Sequence, residues 1–124
     1  MLHSQRVLIY EPDDTITTLL EEIIRDRFPE ASSKRVPMDK LQAELGANYY
    51  LAILAKTTGD GGVIVDIINK VRGLGNRTPF IILYDCLNPG ERDEVLRHRE
   101  NYIAQRNGHA RREVTNILNI CHQK

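Results

Sequence analysis

Four short stretches carry side chains whose types and spacing could do chemistry. EPDDT places carboxylates at Glu11, Asp13 and Asp14 directly after an apolar run. Acids directly after a buried strand stand where an alternating fold places its ligand site. LAILAKTTGDGG, residues 51–62, ends a second apolar run in Ala55 and Lys56 and enters a loop with three glycines. Successive amides in such a loop can nest an anion. Tyr84 and Asp85 close a third run, and Gln105 closes a fourth, shorter one.

Each signal also has a plainer structural meaning. Asp13 and Asp14 precede an amphipathic stretch and can cap its free helical amides. TTGDGG lacks the Gly-Lys-Ser/Thr ending of a P-loop, which favours a tight connection into the next helix. GLGNR holds only a fragment of the dinucleotide fingerprint and follows a helix instead of a strand. His3, His98, His109 and His122 share no ligand spacing, and two cysteines, Cys86 and Cys121, are too few for a thiolate metal site or a disulfide framework. No nucleophile and base can be paired from the residues that end the apolar runs, so neither a catalytic centre nor a metal or cofactor is expected. Lys56 offers one specific possibility: its ammonium, a few ångströms from Glu11 and Asp13, would neutralise them with about 1–4 kcal/mol near a surface. A lysine pointing from the loop into solvent is the alternative.

Elements must bring these residues together. VLIY (Val7 to Tyr10), LAILA (Leu51 to Ala55) and FIILY (Phe80 to Tyr84) are short, unbroken and rich in branched side chains, the pattern of strands covered on both faces. Between the first two, Ile16, Leu19, Leu20, Ile23 and Ile24 recur at helical spacing. SSKRVP suits a polar edge strand, MDKLQAEL a short helix, and Gly62 to Arg72 a strongly apolar helix closed by Gly73 and Gly75. NPGERDEVLRHRE reads as a charged helix opening on Pro89 and Gly90; Tyr102 to Ala104 as a second edge strand; and Val114, Ile117, Leu118 and Cys121 as the apolar stripe of a last helix. Five strands thus alternate with five helices, implying an α/β fold with a parallel sheet between two helical layers. Apolar strands one, three and four belong at the centre, which gives the order 2-1-3-4-5, the flavodoxin-like (βα)5 three-layer sandwich. In such sheets ligands sit beyond the carboxyl ends of the strands, where all four chemical stretches fall.

Bulk properties narrow the partners. A chain of 124 residues reads as one domain, residues 1–124, able to bury roughly two thirds of its unfolded surface. Seventeen basic and seventeen acidic residues leave no net field toward nucleic acid, anionic membrane or acidic substrate. The apolar run before Glu11 is too short for a signal segment or a membrane span, so a cytoplasmic protein is expected.

VLIYEPDDTITTLL, TPFIILYD and NYIAQR together resemble the receiver domains of bacterial two-component response regulators, over nearly the whole chain. That resemblance implies a phosphate-accepting aspartate closing the third strand, a magnesium ion held partly by two adjacent acids after the first, a hydroxyl residue closing the fourth and a lysine closing the fifth. The matching positions here hold Ala55, or Lys56 one residue on; Glu11 and Pro12, with Asp13 one step later; Tyr84; and Gln105. Tyr102 matches the family's switch aromatic. Since phosphoryl transfer needs an oxygen nucleophile, a cation and positioned donors, this pattern implies a degenerate receiver that is not phosphorylated on aspartate.

Output would then run through surface contacts. The resemblance places the partner or dimer face on the fourth helix, fifth strand and fifth helix, here Val95, Arg99, Tyr102, Arg106, Arg111 and Arg112. The arginine patch on a neutral domain would bind nucleic acid only feebly and without specificity. Alternatives are a small-molecule or nucleotide-binding flavodoxin-like domain using the Gly-rich loop, and a conventional phospho-accepting receiver in a shifted alignment.

Overall fold

The structure is a computed structural model that describes residues 5–47, 49–60 and 62–122, leaving out the side chain of residue 122. His3 and Gly61, which figure in the sequence reading, lie outside the described residues. Strands and helices alternate as β1 (Arg6–Tyr10), α1 (Asp14–Arg27), β2 (Ser32–Arg35), α2 (Met38–Glu44), β3 (Leu51–Lys56), α3 (Val63–Gly73), β4 (Phe80–Tyr84), α4 (Pro89–Leu96), β5 (Asn101–Gln105) and α5 (Ala110–His122). All pairings are parallel, in the order β2-β1-β3-β4-β5. This is the expected (βα)5 flavodoxin-like three-layer sandwich.

Because strand side chains alternate, each central strand feeds two cores. Val7, Ile9, Ile53, Ile81 and Leu83 face Leu20, Ile24, Val114 and Leu118 of α1 and α5. Leu8, Ala52, Leu54, Phe80 and Ile82 face Leu41, Ile64, Ile68 and Val95 of α2, α3 and α4. Each fully buried branched or aromatic side chain among them contributes about 1.5–3 kcal/mol over exposure, which is why the unbroken apolar runs became central strands. All four residues of β2 are exposed, as its polar sequence requires of an edge.

Most element ends shift by a residue or two from the sequence reading, and the shifts in β3, α4 and β5 bear on the site. β3 runs one residue further, so that Lys56 is a strand residue and not the first of a loop. α4 stops at Leu96, short of the charged residues after it, and there the Val95 carbonyl accepts buried Asn101 Nδ2 at 2.8 Å and His98 N at 3.4 Å. β5 gains residues at both ends; Asn101 is held there also by Arg72 Nε at 3.2 Å, whose guanidinium lies 3.9 Å over the Phe80 ring. The Gly-rich connection is tight: Gly59 and Gly62 both have φ near +80 to +90°, at 87° and 81°, a region costly for other residues.

Candidate functional site

The parallel register aligns the strand ends. Lys56 pairs with Tyr84, and Tyr84 with Gln105, so these three residues form one terminal row across β3, β4 and β5. Lys56, not Ala55, therefore shares the row of the strand-ending positions singled out in the sequence. Ala55, one residue back, is packed at 1% exposure. By alternation Ala55 turns to the α1 and α5 face and Lys56 to the face of α3 and α4.

Lys56 is buried, so it does not point into solvent. Its Nζ lies 3.4 Å from Asp60 Oδ1 in the following loop and 3.5 Å from Glu91 Oε2 in the first turn of α4. Its expected pairing with Glu11 and Asp13 is not what the structure holds, since the pleat sends the side chain to the opposite side of the sheet. Glu91 is fixed by a capping box with Asn88, and Asp60 Oδ1 also accepts the Gly62 amide at 2.8 Å. Asp60 Oδ2 is buried with no hydrogen-bond partner among the described residues.

Glu11 is neutralised by Arg106, the residue after β5. Arg106 Nε donates to Glu11 Oε1 at 2.7 Å and Nη2 to Oε2 at 2.6 Å, a two-bonded fork on a carboxylate that is 0% exposed. The Nη1 of Arg106 reaches both oxygens of Asp85 at 3.1 Å. Hydrogen bonding to Glu11, and then to Asp85, raises the Arg106 guanidinium above its ordinary value, so the charge is permanent. Placing Arg106 in a surface patch from its neighbours Arg111 and Arg112 missed this. A positional signal was present: Glu11, Asp85 and Arg106 each stand one residue past a strand of the same parallel sheet, which puts opposite charges on one edge.

The remaining residues have structural employment. Asp13 caps α1, its Oδ1 accepting Thr15 N at 2.8 Å and Ile16 N at 3.2 Å, and its own amide donates to Glu11 Oε2 at 2.8 Å. Asp14 opens the helix and Pro12 is exposed between the two acids. The Tyr84 carbonyl accepts Arg106 N at 2.9 Å, and Gln105 N donates to Glu113 Oε1 at 2.9 Å. Tyr10 lies between the two charge groups: burial, then Glu11 and Asp60, raise its hydroxyl above the usual value. In the Gly-rich loop, the Thr58 amide donates to Asp85 Oδ2 at 3.2 Å, so with Gly62 two loop amides are already used internally. Phosphate-nest geometry has lost those donors.

Of the residues placed on the fourth-helix face, Arg99, Arg111 and Arg112 are exposed and Tyr102 is half-buried against the core. Arg111 reaches Glu22 of α1 at 3.5 Å, and Arg112 lies 3.3 Å from His109. Val95 is 0% exposed and belongs to the core, because it is the one residue α4 can bury; Arg106 is drawn into the cleft. α5 packs on α1, β4 and β5.

The donor set does not fit the magnesium ion that the sequence resemblance implies. Both Glu11 oxygens are engaged, Pro12 replaces an acid, an ammonium ends β3, and no group of three His, Cys, Asp or Glu side chains suited to a metal occurs among the described residues. No helix of the described residues is long and apolar enough to cross a membrane.

No protein-family model and no curated protein matches this sequence. Solved structures do match. A CheY-like response regulator receiver domain protein from Methanospirillum hungatei superposes with a TM-score of 0.73 at 15% identity, over 96% of this chain and 94% of that one. An orphan response regulator of H. pylori gives 0.73 at 11% identity, over 96% and 97%. The receiver domain of a Francisella response regulator gives 0.69 at 17% identity, over 96% and 97%. At these identities the likeness is one of fold, and over nearly its whole length this chain folds as the response-regulator receiver domains do.

Proposed function

We propose that this chain is a receiver-like signalling module that works without an aspartyl phosphate, through contacts with a protein partner or a second copy of itself. The observation that carries the reading is Lys56, a buried ammonium in the terminal row where the resemblance implies an aspartate nucleophile. An ammonium has no oxygen to phosphorylate, and its ion pairs with Asp60 and Glu91 occupy the space in front of it. Arg106 supports the same reading by filling the place of a cation beside Glu11.

The partner surface we assign is α4, β5 and α5, where Arg99, Arg111 and Arg112 are exposed beside half-buried Tyr102. The direct experiment is incubation with a small acyl-phosphate donor and magnesium, followed by intact mass measurement. The expected result is an unmodified mass; a hydroxylamine-labile phosphate adduct would overturn the proposal.

A further inference from the structure

We infer that Arg106 is the resident cation of the carboxyl-edge cleft, a guanidinium latch that ties four loops together and leaves a divalent ion no place. The chain of bonds is continuous. Arg106, in the β5–α5 connection, forks onto Glu11 in the β1–α1 connection, and Glu11 Oε2 in turn takes the amide of Asp13, the cap of α1. On its other side Arg106 holds Asp85 in the β4–α4 connection, and Asp85 Oδ2 takes the Thr58 amide of the β3–α3 loop. The backbone closes the circuit through Arg106 N to the Tyr84 carbonyl and Asp85 N to the Lys56 carbonyl.

Only a planar guanidinium presents enough donors in a fixed fork to hold one carboxylate with two bonds and still reach a second. The Glu11 side chain is wholly enclosed and the Arg106 side chain is 14% exposed, so a metal would have to displace a two-bonded partner from an enclosed carboxylate. This inference rests in part on the proposed function, since magnesium-dependent phosphorylation would also require the latch to open, but its own readouts, metal broadening and loop exchange, can fail while the chain stays unmodified.

The test compares wild type with Arg106→Ala by backbone amide spectra, hydrogen exchange and manganese broadening. Wild type should show no saturable broadening at residues 11–13 or at Asp85. In Arg106→Ala the amides of Asp13, Thr58 and Asp85 should exchange together about tenfold faster or more beyond the loss at Ile53 and Ile82, whose protection reports the global stability. Millimolar methylguanidinium should restore the loops and methylammonium should not. Saturable broadening in wild type, faster exchange confined to residues 105–108, or no rescue by methylguanidinium would each overturn the inference. Should Arg106→Ala not fold, Arg106→Lys keeps the charge without the fork: lost protection at Asp13, Thr58 or both supports the latch, and wild-type protection at both overturns it.

Discussion

Two cations, not one, define the cleft. Lys56 and Arg106 serve different carboxylates on opposite sides of the sheet, and the difference is measurable. Glu11 is enclosed, so removing Arg106 strands a buried charge, a loss that typically costs about 3–5 kcal/mol. Arg106→Met should lower unfolding stability by that order in a denaturant titration. The double variant Glu11→Leu with Arg106→Met should recover most of the loss, since the penalty lies in the orphaned carboxylate and not in the missing attraction. At the β2 edge, the Arg35 hydrogen bonds hold Glu21 below the usual carboxylate range. A depressed folded-state pKa contributes stability that is present above the unfolded value, about 4.3, and is lost as pH falls through the folded one. Glu21→Gln should therefore flatten part of the acid limb of a stability-versus-pH curve and leave its neutral region with the smaller slope change.

At the scale of elements, glycine conformation separates two superficially similar positions. Gly62 enters α3 with φ +81°, and a side chain there costs roughly 1–2 kcal/mol whatever the space. Gly73 ends the same helix with φ outside that region and nothing within 4 Å of an added Cβ. Gly62→Ala should destabilise by about 1 kcal/mol and Gly73→Ala should stabilise by about 0.5–1 kcal/mol in thermal unfolding. Much of the fold was legible in this way: the short branched runs of β1, β3 and β4 read as strands buried on both faces, and the stripe from Ile16 to Ile24 as an amphipathic helix. Strand ends were less legible, because Lys56 looks polar and its place in β3 is decided by carboxylates at Asp60 and Glu91, one close in sequence and one far. The destination of Arg106 was hidden for the same reason: its partners are 95 and 21 residues away, and local charge density around Arg111 and Arg112 pointed to the surface. Val95 was placed on a partner face by the resemblance, but it is the residue that α4 buries.

For the whole molecule, two cores on one sheet mean that no helix can be removed without exposing a strand face. Leu118 is fully buried between α5 and the sheet, so Leu118→Ala should cost about 2–5 kcal/mol and should reduce cooperativity across the α1 and α5 layer together. On the proposed reading, the edge where the strands end is the part that sets this chain apart from a phosphate switch. Its two cations, Lys56 and Arg106, are paired internally, which is what the proposed ligand-independent signalling requires. Titration with beryllofluoride and magnesium, followed through backbone amide shifts, addresses this most directly. The account predicts silence at Lys56, Tyr84 and Tyr102 across the titration; saturable shifts at the ends of β3 and β4, spreading to Tyr102, would contradict it.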